Sequence, residues 1–328
     1  MKDFSGKIAV ITGGGTGMGR ELARQLTAEG AHVAMCDVSA ANMERTVTLC
    51  KEAGLPQGVR ITAHVADVAV EDNINNFARE IAEQHETDKI HLLFNNAGVG
   101  GGGSFVTDSR ASWERTFNIC WGGVYYGCRA FLPMLMKADE GHIINTSSVN
   151  GFWASLGPAT AHTAYSAAKF AVKGFTEALV NDLRLNAPHL KCSVVMPGHI
   201  GTAIAGNSRK VLMGTESNIL SPDEIAASRA RMTRMGVDAA SMSDEQIQAG
   251  SDMMAKAFEE NAPTSAAQAA AIILQGVRDE RWRILVGDDA HRMDEMVRAR
   301  PEEAYEQSFF QDLSQGVGWQ LGGGLARR

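Results

Sequence analysis

The side chains of this sequence best suited to proton transfer are Tyr165 and Lys169, which lie in the strongly helical segment TAYSAAKFAVKGFTEAL. Residues four positions apart share one face of a helix. A phenol has a pKa of about 10 and is a poor base at neutral pH, but a neighbouring ammonium stabilises the phenolate and lowers that pKa. The pair therefore predicts a tyrosine that exchanges a proton with a substrate.

Two serines, Ser147 and Ser148, precede this segment at the end of the apolar run GHIINTSS. The carboxyl ends of parallel strands face the ligand crevice of an α/β sheet. A serine hydroxyl at that place can hold a carbonyl oxygen by hydrogen bonding as charge develops on it. A Tyr/Lys pair at this spacing is common by chance, so its position after such a strand is what favours a catalytic role.

A glycine-rich turn, TGGGTGMG, follows the first apolar run of the chain and precedes a helical segment. Glycine lets the backbone turn tightly and approach a ligand, and a helix N-terminus presents free N–H groups to a pyrophosphate. The GxGxxG fingerprint fails because Met18 takes its last position. A TGxxxGxG pattern fits instead, with Gly13, Gly17 and Gly19, and it predicts a dinucleotide site.

The second apolar run ends in Asp37, about 20 residues beyond the glycines. A carboxylate there accepts hydrogen bonds from the adenosine ribose hydroxyls and repels a 2′-phosphate. A basic residue at Thr16 or Val38 could bind that phosphate, but neither position is basic. The sequence therefore predicts NAD as the cofactor in preference to NADP.

Short β-branched runs alternate with longer amphipathic segments along most of the chain. Seven runs are strand candidates: 7–13, 32–37, 60–67, 89–98, 141–148, 191–198 and 282–287. Near-continuous apolar runs are expected of strands covered on both faces, and strands that alternate with helices indicate βαβ units. The predicted fold class is α/β, with a doubly wound, Rossmann-like parallel sheet in a single domain.

Two regions interrupt this alternation. Residues 203–262 contain no strand candidate and are rich in methionine, which predicts either a substrate lid or a helical insertion whose methionines fill core gaps. The Rossmann-like domain is expected to span 1–290. A helical extension over 291–328 follows, and its tail from Ser314 is expected to be frayed or dependent on a partner.

The composition excludes several other classes of protein. The chain has 328 residues and is 45% hydrophobic, enough for a large core. A net charge of −7 argues against a nucleic acid or an anionic membrane as a partner. The cysteines form no CxxC and the histidines no HExxH, which predicts reduced thiols and no metal site. No apolar run suits a membrane span or a signal peptide, so the expected location is the cytoplasm.

Taken together, the motifs resemble those of the short-chain dehydrogenase/reductase family, in its compact branch. The resemblance covers roughly residues 7–202. It is carried, in family order, by TGGGTGMG, NNAG (95–98), Asn118, the serine pair, YSAAK and PG (197–198). The combination is far more specific than any one of these motifs.

The resemblance implies a catalytic set of Ser148, Tyr165 and Lys169, with Asn118 completing a water-linked proton relay. It also implies that Asp67 and Val68 flank the adenine, that residues 95–98 shape the cofactor floor, and that Ile200 and Thr202 hold the nicotinamide carboxamide. The predicted cofactor-binding residues are Gly13, Thr16, Gly17, Met18, Gly19, Asp37, Asp67, Val68, Asn95, Ala97, Gly98, Tyr165, Lys169, Pro197, Gly198, Ile200 and Thr202.

The chain departs from the family in two places. The interval between Ser148 and Tyr165 is longer than usual, which leaves Ser147 as an alternative, although the SSxxG pattern favours Ser148. The added C-terminal helices replace an end that contributes to tetramer packing in relatives, so the expected homo-oligomer is either a dimer or a tetramer.

The sequence is compatible with three functions. The first is NAD-dependent oxidation of a secondary alcohol or the reverse reduction, with a small-molecule substrate. The others are a dinucleotide-sensing regulator without turnover, and an epimerase or dehydratase on tightly held NAD. Phe152, Trp153 and Leu156, together with the methionines of 203–262, predict an apolar pocket for bulky ligands. His162 and His199 are expected to line that pocket as polar groups.

Overall fold

The computed structural model of the chain describes residues 1–101, 103–158, 160–234 and 237–317. Its strands are β1 (Ile8–Thr12), β2 (His32–Asp37), β3 (Ile61–Val65), β4 (Leu92–Asn95), β5 (Gly141–Thr146), β6 (Leu190–Pro197), β7 (Ile200–Gly201), β8 (Thr264–Ser265) and β9 (Arg283–Val286). Seven of them form a parallel sheet in the order β3-β2-β1-β4-β5-β6-β9. The predicted α/β fold is confirmed, because each candidate run contains or overlaps one strand of this sheet.

Helices cover both faces of the sheet. They are α1 (Gly17–Ala28), α2 (Ala40–Glu52), α3 (Glu71–Gln84), α4 (Arg110–Phe117), α5 (Gly123–Leu135), α6 (Thr163–Asn186), α7 (Ile204–Met213), α8 (Pro222–Arg234), α9 (Asp244–Glu260), α10 (Ala266–Arg278), α11 (Asp288–Ala299) and α12 (Gln307–Val317). Within the described ranges, no helix has the length and apolar character needed to cross a membrane.

Two large hydrophobic clusters fill the space between the sheet and its helices, because successive strand residues point to opposite faces. In β1, Val10 joins a cluster with Phe77 of α3 and Val172 of α6. Its neighbour Ile11 joins the other cluster, with Leu22 of α1. The sheet is therefore wound on both sides, as predicted.

The direction of winding reverses between β1 and β4. β1 pairs with β2 on one side and with β4 on the other, and the register brings Ile11 opposite Met35 and Phe94. Ligands of open parallel sheets bind at such a point, beyond the carboxyl ends of the strands. The glycine turn follows β1 and the NNAG segment begins at the end of β4, so both lie at this crevice.

The insertion between β7 and β8 consists of α7, α8 and α9 in the part that the structure describes. Its helices have clear start signals: Ser243 caps α9 through a capping box with Gln246, in which each side chain accepts from the other residue's backbone N–H. The small parallel pair β7–β8 closes the base of the insertion. The methionine-rich segment thus begins and ends beside one short two-stranded sheet.

A third hydrophobic cluster attaches the C-terminal helices to the loop after β5. Trp153, which is 1% exposed, packs with Phe309 and Leu313 of α12, and its Nε1 donates to the Ala304 carbonyl at 2.6 Å. The expectation that Trp153 lines a ligand pocket is wrong, because its side chain fills this interior. α12 continues through Val317, and the remainder of the tail predicted from Ser314 lies outside the described residues.

Candidate active site

The glycine turn after β1 forms an open backbone cradle. Gly13 and Gly17 have φ values of 70° and 54°, in the left-handed region that favours glycine. A Cβ on Gly13 would lie 2.8 Å from Ala97 Cα, and one on Gly17 would lie 3.0 Å from Thr202 Cγ2. In the described structure the Thr16 side chain does not cap α1, so the N–H groups of the first helical turn are available to an anion.

Thr12 and Asn96 join this cradle to the loop after β4. The Thr12 hydroxyl accepts hydrogen bonds from the backbone N–H groups of Asn96 and Ala97, both at 3.0 Å. The Asn96 side chain donates to the Thr12 carbonyl at 3.1 Å. Asn96 lies within the range 95–98 that was predicted to shape the cofactor floor, and its side chain joins that loop to the strand β1.

Asn95, which was predicted on the cofactor floor, points its side chain into the core. Its Nδ2 donates to Asn145 Oδ1 at 2.9 Å, and Asn145 in turn donates to Thr176 Oγ1 at 3.0 Å. These contacts tie β4 to β5 and α6. The side chain of Asn95 therefore stabilises the sheet beneath the crevice.

Asp37 lies at the end of β2 beside the glycine turn. Its Oδ2 accepts from Gly15 N and its Oδ1 from Ser39 N, both at 3.0 Å. Burial raises the pKa of this carboxyl, and the backbone donors oppose the rise. Arg20 is close by, but it donates to the carbonyl of Gly15 and, at 3.0 Å, to the hydroxyl of Thr46.

Asp67 and Val68 follow β3 at the same edge of the sheet. Asp67 Oδ2 accepts from Arg115 of α4 at 2.6 Å, and its Oδ1 accepts from Ala69 N at 2.9 Å. Val68 packs against Gly123, where a Cβ would lie 2.8 Å from its Cγ2. The pairing with Arg115 was not foreseen, because nothing in the spacing of the two residues signals it.

Tyr165 and Lys169 lie on the first turns of α6, beside the end of β5. Lys169 Nζ lies 5.4 Å from the centroid of the Tyr165 ring and donates to the Thr146 carbonyl at 2.8 Å. Burial raises the pKa of the Tyr165 phenol, whereas a hydrogen bond with Ser148 lowers it. Burial also lowers the pKa of Lys169. The structure thus brings the two residues together with Ser148.

The two serines after β5 differ in their contacts. Ser147 Oγ donates to the Lys169 carbonyl at 2.7 Å, and a Cβ on Gly151 would collide with it. Ser148 Oγ accepts from Asn150 N at 3.1 Å, and the Ser148 hydroxyl lowers the pKa of the Tyr165 phenol. Ser147 therefore fastens the strand to α6, and Ser148 faces the tyrosine.

Asn118 begins a π-helical turn, Asn118–Gly122, between α4 and α5. Its side chain is exposed, whereas Cys120 on the same turn is fully buried. A Cβ on Gly98 would lie 3.6 Å from Lys169 Nζ and 3.8 Å from Cys120 Sγ, so the thiol and the ammonium approach the same point. The role of Asn118 in a relay stays a prediction, and Cys120 is a second candidate on the same turn.

The two histidines predicted near the pocket lie in different places. The ring of His162, which is 8% exposed, lies 4.7 Å from the Tyr165 ring between centroids, and burial lowers the pKa of its imidazole to about 4. Its Nδ1 has no partner among the described residues. His199 is bonded through Nε2 to the Phe258 carbonyl of α9 at 2.7 Å.

Helix α7 reaches across the crevice. Asn207 Nδ2 donates to Thr16 Oγ1 at 3.2 Å, and Ser208 Oγ accepts from Gly100 N at 2.7 Å. These two contacts join the start of the insertion to the glycine turn and to the loop after β4.

Among the described residues, no group of three or more His, Cys, Asp or Glu side chains could hold a metal.

The sequence family described as short chain dehydrogenase matches residues 7–212, which is more than half of the chain and contains the cradle and the Ser148–Tyr165–Lys169 group. The chain belongs to the short-chain dehydrogenase/reductase family. The chain is 36% identical over 208 residues to the Mycobacterium tuberculosis protein described as the putative oxidoreductase SadH, covering 63% of this chain and 72% of that protein.

Two solved structures extend the comparison. A short-chain dehydrogenase/reductase from Burkholderia phymatum in complex with NAD has a TM-score of 0.72 and 29% identity, covering 92% of this chain and 95% of that one. A metagenomic short-chain oxidoreductase in complex with NADP has a TM-score of 0.52 and 31% identity, covering 60% of this chain and 83% of that one. The family and the fold make this chain an oxidoreductase with a Rossmann nucleotide-binding fold.

Proposed function

We propose that this short-chain dehydrogenase transfers a hydride between NAD(H) and a secondary alcohol or the corresponding ketone. The observation that carries the proposal is the position of the partly buried Tyr165, whose ring centroid lies 5.4 Å from Lys169 Nζ and whose phenol pKa is lowered by Ser148 at the end of β5. This group lies at the same sheet edge as the glycine cradle. A regulator that only senses a dinucleotide needs the cradle but neither the tyrosine nor the buried lysine beside it.

The cradle fits a dinucleotide because its glycines leave open the space that side chains would fill. The backbone from Gly13 to Gly19 would hold the pyrophosphate, Asp37 the adenosine ribose, Asp67 and Val68 the adenine, and Ile200 with Thr202 the carboxamide of the nicotinamide. When bound, the nicotinamide supplies or accepts the hydride. The chain itself positions both reactants and exchanges the proton.

NAD is the preferred cofactor in this proposal. Both oxygens of Asp37 accept backbone N–H groups, which keeps the carboxylate at the place where a 2′-phosphate would lie. Arg20, whose positive charge acts on Asp37, donates to Gly15 and Thr46. A 2′-phosphate would therefore meet a fixed negative charge, and the guanidinium would have to leave its present partners to compensate.

Proton exchange is assigned to Tyr165. The Lys169 ammonium stabilises the phenolate, which burial alone disfavours, and the Ser148 hydroxyl can donate to the substrate oxygen. Either Asn118 or Cys120 completes the path of the proton beyond Lys169. Trp113 stacks on Phe117 at 5.4 Å between centroids and donates to Thr163 at 3.0 Å, so an aromatic surface lies next to the start of α6 and favours an apolar substrate.

Replacement of Tyr165 by phenylalanine tests the proposal. A panel of small and bulky secondary alcohols is offered with NAD, and NADH absorbance is followed. We expect turnover of the best substrate to fall about 10²–10⁴-fold in Tyr165→Phe, with NADH binding retained in a fluorescence titration. Turnover that survives this change, or its absence from the unmodified protein with every substrate in both directions, would contradict the proposal.

A further inference from the structure

The segment from Pro197 to Thr202 is held in place by strands that come later in the sequence than the family motifs. It leaves β6 through Gly198, whose N–H donates to the Val286 carbonyl of β9 at 3.0 Å. Ile200 then pairs with Thr264 in the short β7–β8 sheet. This segment contains Ile200 and Thr202, the residues that the proposed function places at the nicotinamide.

One buried carboxylate fixes the centre of this segment. Asp289, the second residue of α11, is 7% exposed, and its Oδ2 accepts from the backbone N–H of His199 at 2.7 Å. A Cβ on Gly198 or on Gly287 would collide with the same carboxylate. The segment can therefore pass so close to α11 only because glycine stands at position 198.

The other oxygen of this carboxylate is unusual. Asp289 Oδ1 is buried and has no hydrogen-bond partner among the described residues. Burial raises the pKa of Asp289, and the N–H groups of His199 and Ala290 oppose the rise. A buried carboxylate that keeps one oxygen unpartnered is costly to the fold, which is the pattern of a group retained for a specific task.

We propose that Asp289 is a positioning residue for the nicotinamide half of the cofactor, acting through the His199 N–H on Ile200 and Thr202. This inference rests on the proposed function. In the proposed function, the adenosine and pyrophosphate are held by residues of β1, β2, β3 and α1, whereas Asp289 bonds to the backbone of His199, beyond β6. Loss of its acceptor oxygen should therefore affect one half of the dinucleotide and spare the other.

NADH and ADP-ribose separate the two halves, because ADP-ribose has the adenosine and the pyrophosphate but no nicotinamide. The binding of each is measured by calorimetry in the full chain and in Asp289→Ala. We expect the Kd for NADH to rise about 10-fold or more, since a hydrogen bond to a charged group is lost, and the Kd for ADP-ribose to change less than about 2-fold.

Two further variants distinguish positioning from a general loss of stability. Asp289→Asn keeps an oxygen acceptor for His199, so we expect its Kd for NADH to stay within about 3-fold of the unmodified protein. Asp294→Ala is the matched control, because Asp294 is equally buried on the same helix but binds Arg283 and Arg298. We expect this control to lower the Tm without changing the ratio of the two dissociation constants.

The outcomes are distinct. Equal weakening of NADH and ADP-ribose in Asp289→Ala, unchanged NADH binding, or the same selective loss in Asp294→Ala would each overturn the positioning role. If Asp289→Ala does not fold, Gly198→Ala pushes a methyl group against the same carboxylate, and it should give the same selective loss of NADH. Unmodified protein that binds neither ligand would instead refute the proposed function.

Discussion

Lys169 Nζ lies 5.4 Å from the centroid of the Tyr165 ring while it donates to the Thr146 carbonyl at 2.8 Å. The carbonyl fixes the ammonium at the end of β5, one helical turn from the phenol. Burial disfavours the charged form of both groups, since it raises the pKa of Tyr165 and lowers that of Lys169. In the proposed function, the Lys169 ammonium offsets the cost that burial imposes on the Tyr165 phenolate.

Replacing each of the two serines after β5 should have a different effect, one on stability and the other on turnover. Ser147→Ala removes the hydrogen bond to the Lys169 carbonyl, so we expect a lower Tm and a loss of about 1 kcal/mol of stability with little change in kcat. Ser148→Ala removes the hydroxyl that meets Tyr165, and we expect kcat to fall about 10²-fold at a nearly unchanged Tm. Thermal melts and steady-state kinetics on both variants provide the check, and the opposite pattern would make Ser147 the catalytic serine.

The π-helical turn between α4 and α5 offers a second paired test. Cys120 is buried next to the point that Lys169 approaches, whereas Asn118 is exposed. If the proton path passes through this turn at Cys120, Cys120→Ala should lower kcat about 10-fold and Asn118→Ala should not. The pH profile of kcat, measured for both variants, separates a proton role from a packing defect. A larger effect of Asn118→Ala would instead favour Asn118 as the relay residue, as the family resemblance implies.

Most of the sheet and the proximity of Tyr165 to Lys169 could be predicted from the sequence, because they depend on local patterns. Continuous apolar runs mark strands with two covered faces, and Tyr165 and Lys169 are related by one helical turn. The roles of Asn95 and Trp153 could not be predicted in this way. Both depend on which distant element packs against them, Asn145 and Thr176 in one case and α12 in the other. Asp289 was missed for the same reason.

Cofactor choice should depend on Asp37. Asp37→Ala removes the negative charge that the proposed function places at the adenosine ribose, and we expect the ratio of kcat/KM for NAD to that for NADP to fall about 10-fold or more. The ratio is measured with one alcohol at several concentrations of each cofactor. Val38→Ala, at the neighbouring half-exposed position, serves as a control that should leave the ratio unchanged. An unmodified protein that uses NADP as well as NAD would contradict this prediction.

Acid stability should respond to His162. Its pKa is lowered from 6.5 to about 4 by burial, so the unfolded chain binds a proton between these values and the folded chain does not. The contribution of the neutral His162 to stability is therefore fully present above pH 6.5 and is lost as the pH falls toward 4. Between pH 7 and pH 5, we expect the free energy of unfolding to fall by about 2 kcal/mol less in His162→Gln than in the unmodified protein. Urea melts at the two pH values measure it, and equal losses in both proteins would contradict a neutral buried imidazole.

Residues 203–262 should behave as a lid over the bound ligands. In the described part of this insertion, α8 and α9 bury few side chains, and Ile225 and Ile247 are among them, so local opening should be easy in the free protein. The crossing contacts of α7 place the first helix over the crevice, through Asn207 to Thr16 and through Ser208 to Gly100.

Hydrogen exchange with and without NADH and an unreactive alcohol decides whether this lid closes. We expect amides of α7–α9 to gain protection only when both ligands are present, because closure over the reacting centre excludes water. Asn207→Ala, which removes the contact with Thr16, should reduce that gain and speed the release of NADH in stopped-flow fluorescence. Strong protection of α7–α9 in the free enzyme, unchanged by the ligands, would show instead a rigid insertion whose methionines fill the space between helices.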